Sequence, residues 1–134
     1  MLLAMDRLEL PLFDEDFFMY GEDCELGWRL LRSPGAWVRA GAALVEHEGA
    51  VSSVIGSPFY ESHITAAHLI LARKLAKNPA DAFLLHAMRA GMLLLRACVR
   101  SCRLRSFVPL SALWTGSRLA FDSRRHRGAG PFKQ

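Results

Sequence analysis

The chain has 134 residues and a mass of 15.0 kDa, and 51% of its residues are hydrophobic while 22% are charged. This length suits one compact domain and excludes two full-sized ones, and the apolar fraction excludes a disordered tail. The net charge of +4 conceals a division, because residues 1–61 carry 11 acidic and 4 basic side chains, whereas residues 62–134 carry 2 acidic and 13 basic ones. This asymmetry predicts an acidic half that performs chemistry or holds cations and a basic half that meets an anionic partner.

The chain shows no sign of secretion or of a membrane span. Its three cysteines have no disulfide-framework spacing, which indicates a reducing compartment. The apolar residues 1–5 are too short a run for a signal peptide. Residues 82–99 are the most apolar stretch, but His86, Arg89 and Arg96 interrupt them, so no uncharged run of about 20 residues remains.

The first part of the chain has a mixed pattern. Residues 8–13 are short and apolar and predict a strand that enters a turn at residues 14–16. Residues 22–32 predict a helix that ends at the Ser-Pro-Gly sequence of residues 33–35. Residues 37–45 are apolar and bounded by glycines, which predicts one or two short strands.

The second part of the chain is helical in pattern. The division falls at the Gly-Ser-Pro sequence of residues 56–58, where the charge sign also changes. Helices are predicted over residues 59–76, 79–103 and 109–120. The basic, glycine-rich residues 123–134 predict a frayed end.

Asp23 is the first candidate for chemistry. On a helix it shares one face with Leu26 and Leu30, so a carboxylate occupies an apolar face in the first helical turn. The helix dipole favours its ionised form there, which suits a general base. The simpler interpretation is an ordinary first-turn acid, with Glu25 pairing with Arg29 four residues later.

Histidine and cysteine provide a second set of candidates. His47 follows an apolar stretch and lies near Gly49, so it is either a metal or phosphate ligand or a hydrogen-bonded surface residue. Cys98 and Cys102 share a helical face, but two thiols without further ligands make a poor zinc site, and core packing is the better interpretation.

The predicted helix over residues 79–103 has a basic row. Arg89, Arg96, Arg100 and Arg103 fall within about 60° of one another at 100° per residue, and apolar side chains cover much of the remaining surface. This pattern is typical of a basic helix that lies on anionic lipid. A solvated basic face on a packed helix is the alternative, and no nucleic-acid-binding motif is present.

Residues 13–30, FDEDFFMYGEDCELGWRL, resemble the FDExFFxYxEDxDLxxR segment of family 2 glycosyltransferases, especially their rhamnosyltransferase-like branch. The similarity continues through residues 35–38 and 43–53, where the family has an aromatic-rich strand followed by HxGGxS, and it covers about residues 5–77. Gly41 replaces a common proline, Ala50 the second glycine of a pair, and Glu25 the commoner aspartate.

The resemblance implies an α/β fold, the C-terminal part of a GT-A glycosyltransferase, with short strands and a helix followed by a mostly helical tail. Residues 1–57 are then the acceptor-side, catalytic segment, and residues 58–134 are a helical, basic region suited to membrane association. The family's nucleotide-binding half and its aspartate-rich metal motif have no counterpart in this sequence. We therefore expect an acceptor-side half that is inactive or weak by itself.

The resemblance also implies roles for individual residues in an inverting transfer from a nucleotide-sugar to an envelope glycan or a lipid-linked acceptor. Asp23 corresponds to the general base, and Glu22 beside it is the second catalytic-site residue, which orients the turn or contacts the acceptor. Asp14, Glu15 and Glu25 contact the acceptor, and His47 helps to bind the Mg²⁺ or Mn²⁺ on the donor diphosphate.

The family's C-terminal tail implies a cytoplasmic, membrane-peripheral location, with the arginine row facing the inner surface of the membrane. The alternative is a non-enzymatic membrane-peripheral or interaction protein derived from a decayed transferase, in which Asp23 is idle. The sugar, the nucleotide, the acceptor and the oligomeric state stay open.

Overall fold

The structure is a computed structural model that describes residues 11–32 and 54–126. These residues form four helices, which are α1 (Glu22–Arg32), α2 (Pro58–Leu75), α3 (Pro79–Leu104) and α4 (Val108–His126). α2 lies at the centre, where it packs most extensively on α4, then on α3, and makes a smaller contact with α1.

The prediction of an α/β fold is wrong for the described part of the chain, which is all-helical and contains no β-strand. Residues 11–13, the end of the first predicted strand, are irregular. A turn follows directly, in which Asp14 accepts hydrogen bonds from the backbone N–H groups of Asp16 (3.0 Å, to Oδ1) and Phe17 (3.1 Å, to the carbonyl). This turn lies where the sequence predicts one. Within residues 11–13, the Leu12 carbonyl accepts from Nη2 of Arg29 in α1 (2.7 Å) and is therefore unavailable to a sheet ladder. Residues 37–45, where the other strands were predicted, lie outside the described residues.

Side-chain N-caps mark the start of α2 and of α3. Ser57 caps α2 by accepting from the N–H of Tyr60 (3.1 Å), and Asn78 caps α3 by accepting from the N–H of Asp81 (2.8 Å). A proline follows each cap, where its missing N–H costs nothing. α3 ends at Arg105, whose left-handed conformation (φ 48°) terminates the helix. The four predicted helices are confirmed, with shifts of no more than one residue at every end except the last. α4 continues to His126, six residues beyond its predicted end, so residues 123–126 are helical and not frayed.

The core lies between α2, α4 and the segment before α1, and three of its six buried side chains are alanine. Its buried members are Phe17, Ala66, Ala67, Ile70, Leu71 and Ala120. The two helices approach closely at Gly116, where an added Cβ would lie 2.5 Å from the carbonyl oxygen of Ser62 and 2.5 Å from Cβ of Thr65. Glycine is therefore required at this crossing.

α3 is attached to α2 through a buried ion cluster. Glu61, in the first turn of α2, is 1% exposed. Arg96 donates from Nη1 to its Oε2 (2.7 Å), and Arg100 donates from Nε to its Oε1 (2.8 Å). The Arg100 guanidinium also lies 5.7 Å from the centre of the Tyr60 ring. A buried carboxylate with two cationic donors determines which side of α3 faces α2.

The segment before α1 is fastened to the end of α2 by a second set of ion pairs. Arg73 Nη2 lies 3.1 Å from Oδ2 of Asp16, and Lys74 Nζ lies 2.7 Å from the same oxygen and 2.5 Å from Oδ2 of Asp14. Arg73 also donates from Nη1 to the carbonyl of Ala120 in α4 (3.2 Å). This segment is thereby held against both α2 and α4.

The Gly116→Ala substitution is expected to lower the free energy of unfolding by about 1–3 kcal/mol, because the new methyl group overpacks the crossing of α2 and α4. Gly27→Ala in α1 is the matched control, since no atom lies within 4 Å of its added Cβ. Alanine favours the helix there and should raise stability by up to about 1 kcal/mol. Urea unfolding followed by circular dichroism measures both, and equal effects would contradict the close crossing.

The Glu61→Gln substitution is expected to cost about 2–4 kcal/mol of stability, because it leaves two partly buried guanidinium groups without a carboxylate. Glu15→Gln, the same change at an exposed glutamate, is the control, with an expected effect within about 0.5 kcal/mol. Equal unfolding midpoints for the two variants would show that the cluster does not hold α3.

Candidate functional site

A cavity of about 430 Å³ lies between the segment before α1 and helices α2 and α4. Its walls are mostly apolar side chains of the core, including Phe17, and four titratable groups also line it. These are Glu15 and Asp16 from the segment before α1, His63 from α2 and Asp122 from α4. An apolar cavity with a few polar groups is the usual form of a small-molecule site.

Two aromatic rings surround His63. Its ring centre lies 4.1 Å from that of Phe59 and 5.4 Å from that of Phe18, and the Phe18 side chain is 79% exposed. His63 Nδ1 lies 2.8 Å from the carbonyl oxygen of Phe59, which only accepts, so Nδ1 carries the proton. Sequence analysis missed this cluster because Phe18 and His63 belong to separate segments and neither has a partner at a motif spacing.

The first turn of α1 presents Asp23 and Glu22. Tyr20 and Gly21 both have positive φ (65° and 88°) and redirect the chain into the helix. Asp23 is exposed, and its Oδ1 accepts from the N–H of Cys24 (2.8 Å). Oε2 of Glu22 is buried and has no hydrogen-bond partner among the residues that the structure describes.

The start of α1 also adjoins the cavity. A Cβ added at Gly21 would lie 3.1 Å from Cε1 of Phe17, and the Phe17 side chain lines the cavity wall. Asp23 itself is not among the residues that line the cavity. Gly21 therefore adjoins the cavity wall at Phe17, and Asp23 follows Gly21 by two residues in the chain.

Glu25, expected to contact the acceptor, is buried in an ion pair with Arg29. Arg29 donates from Nε to Oε1 (3.2 Å) and from Nη2 to Oε2 (3.1 Å), and Nη2 also donates to the carbonyl of Leu12 (2.7 Å). This is the pairing four residues apart that the simpler interpretation predicts. The pair joins α1 to the irregular segment that precedes it.

Asp14 and Glu15, predicted together as acceptor contacts, have different surroundings. Burial tends to raise the pKa of the Asp14 carboxyl, but the hydrogen bonds from Lys74 and the Asp16 N–H, with the Lys74 charge, together lower it below its usual 3.8. Asp14 therefore stays ionised and paired. Glu15 is exposed and lines the cavity, so it is the member of the pair available to a ligand.

The cysteines are placed differently from the prediction. Cys98 and Cys102, expected to pack in a core, are exposed on α3. Partial burial, and then the neighbouring Asp23 carboxylate, raise the pKa of the Cys24 thiol above 9.0. Cys24 therefore stays protonated near neutral pH and is a poor nucleophile.

The arginine row of α3, expected to face a membrane, lies largely against α2. Arg96 and Arg100 bind Glu61, and Arg89 donates from Nη1 to Nδ1 of His68 (3.2 Å), whereas Arg103 is exposed. The side of α3 that carries cations is therefore directed into the bundle for most of its length.

No metal site is evident in the part of the chain that the structure describes. Within residues 11–32 and 54–126, no group of three or more His, Cys, Asp or Glu side chains is placed to hold an ion. His47, the predicted metal ligand, lies outside these residues.

Comparison with known proteins gives no match to this chain among family models, curated proteins or solved structures. The functional argument therefore rests on the resemblance of residues 13–30 to a family segment and on the geometry of the site.

His68 is expected to make stability depend on pH. Burial, and then the charges of Arg89 and Arg96, lower the pKa of its imidazole below 6.5. The unfolded chain then binds the proton more readily, so the stability conferred by neutral His68 is present above about pH 6.5 and declines as pH falls through that value towards the folded pKa. Urea unfolding at about pH 7.5 and pH 5.5 measures this loss.

The His68→Gln variant retains an acceptor for Arg89 but does not titrate, so its stability should fall less between these two pH values. Arg89→Met removes the nearest cation and should also reduce the fall. An unchanged pH dependence in both variants would contradict the assignment to His68.

Proposed function

We propose that this chain forms the acceptor side of an inverting sugar-transfer site, in which Asp23 is the general base. The donor would be a nucleotide-sugar, and the acceptor an envelope glycan or a lipid-linked sugar. The observation that carries the proposal is the exposed carboxylate of Asp23 beside the unpartnered Glu22 oxygen, within a segment that resembles the family 2 glycosyltransferases.

The position of Asp23 suits proton abstraction. One carboxylate oxygen accepts from the Cys24 N–H, which orients the group, and exposure leaves the other oxygen accessible to an acceptor hydroxyl. As the acceptor oxygen attacks the anomeric carbon, Asp23 takes its proton, and the bond from that carbon to the nucleoside diphosphate breaks.

The neighbouring cavity supports an acceptor of sugar chemistry. The exposed Phe18 ring offers an apolar face against which the C–H face of a pyranose packs. Glu15 and Asp122 supply carboxylate oxygens that accept hydrogen bonds from sugar hydroxyls. Glu22 would contribute a further acceptor next to Asp23.

The resemblance assigns a divalent cation to the donor diphosphate, with His47 as its proposed ligand. When bound, such a cation stabilises the negative charge of the leaving group. The proton transfer to Asp23 does not depend on this assignment.

Asp23→Asn is expected to reduce turnover by a factor of about 10²–10⁴, because the amide cannot accept the proton. The assay measures the weak nucleotide release that we expect of this chain by itself, from a panel of nucleotide-sugars with Mg²⁺ or Mn²⁺ and a sugar acceptor, and calorimetry measures donor affinity. Affinity should stay unchanged in this variant, since the base acts in the transition state.

Asp81→Asn is the matched control, because Asp81 is likewise an acid in the first turn of a helix but lies on α3. It should retain wild-type turnover. Loss of turnover in both variants, or wild-type turnover with Asp23→Asn, would refute the assignment of the base.

A further inference from the structure

The outer face of α3 is a continuous apolar surface. Between residues 83 and 102, exposed side chains cover an arc of about 200° that carries no charge. The surface is about 29 Å long at 1.5 Å per residue. Its large members are Phe83, Leu84, Met88, Met92, Leu94, Leu95 and Val99, and alanine, glycine and the two α3 cysteines occupy the remaining positions.

This arrangement reverses the pattern of a helix on the surface of a water-soluble bundle, which buries its apolar side. Only Leu93 and Ala97 of α3 are buried. The polar side is held inward because Glu61 binds two of its arginines. An exposed apolar surface of this extent marks an interaction site.

The length and composition of α3 bring it near the requirement for a membrane span. Among residues 11–32 and 54–126 it is the single helix that is long and apolar enough, with a mean hydropathy of 1.5 over 18 residues of which 11% are buried. A spanning α3 would carry α2, with Glu61, Arg73 and Lys74, into the hydrocarbon. Because buried charge in a bilayer is costly, an orientation along the membrane surface is favoured.

Cations are placed at one end of the apolar face. Arg103 and Arg105 are exposed at the C-terminal end of α3, and the Phe107 side chain beyond them is 83% exposed. A helix that lies in the interfacial layer places its apolar side towards the acyl chains and its arginines among the headgroups. An anionic bilayer offers acyl chains to the apolar face and negatively charged headgroups to Arg103 and Arg105.

We propose that α3 lies in the plane of an anionic bilayer, with its apolar face in the lipid and with α2 and α4 on the aqueous side. The membrane is thus contacted by the side of α3 opposite to Arg96 and Arg100. This attachment is independent of the chemistry at Asp23.

Vesicle flotation tests the attachment. The wild-type chain is expected to float with vesicles of phosphatidylcholine that contain roughly one third phosphatidylglycerol. Leu95→Glu on the apolar face should reduce the bound-to-free ratio about tenfold or more. Leu31→Glu is the matched control, because Leu31 is equally exposed (71%, against 67% for Leu95) but lies on α1. It should bind as the wild-type chain does.

Met88→Glu provides a second variant on the same face, and circular dichroism verifies that each variant is folded. At about 1 M salt, where charges are screened over about 3 Å, wild-type binding should weaken but persist because its apolar part is unscreened. Asp23→Asn should bind vesicles like the wild-type chain, which separates this proposal from the proposed sugar transfer.

Three results would overturn the proposal. The first is a wild-type chain that does not float with the vesicles. The second is a similar loss of binding with Leu95→Glu and Leu31→Glu. The third is a dimer in water, detected by analytical ultracentrifugation, that Leu95→Glu dissociates while the wild-type chain binds no vesicles. The apolar face of α3 would then pack against a second copy of this chain.

Discussion

The buried carboxylate of Glu61 is the constraint on which the arrangement of α3 depends. A carboxylate that is 1% exposed requires strong donors, and the guanidinium groups of Arg96 and Arg100 supply them from one side of α3. Binding both arginines determines the rotation of α3 about its own axis. The apolar side of the same helix is consequently turned outward, so one interior ion cluster creates the surface through which we propose that the chain meets lipid.

The acidic residues before α1 have two different roles at the candidate site. Asp14 and Asp16 are paired with Lys74 and Arg73, and these pairs hold the segment before α1 against the central helix. Glu15, which stands between them in the chain, is exposed at the cavity. The alternation of paired and exposed carboxylates means that one short acidic run both stabilises the local structure and supplies a group for a ligand.

The helices were predictable because their signals are local. Ser57 and Asn78 cap α2 and α3 through side-chain oxygens, each is followed by proline, and apolar residues recur at helical spacing. The strand over residues 8–13 was predicted from apolar composition alone. Its described end is irregular, and there the Leu12 carbonyl accepts from the Arg29 side chain of α1 and not from a neighbouring strand. Apolar composition does not show whether a backbone group bonds to a side chain or to a neighbouring strand. The expectation of an α/β fold was therefore wrong for the described residues.

For the site, the sequence by itself determined that acidic side chains stand at the start of α1 and that a basic row lies on α3, since both follow from helical spacing. It did not determine what those side chains contact. The pairing of Glu61 with Arg96 and Arg100, and the meeting of Phe18 with His63, join residues that are remote along the chain. Only the tertiary structure decided which arginines are directed inward and which apolar residues are exposed, because a helix has the same periodic pattern whichever side its neighbours cover.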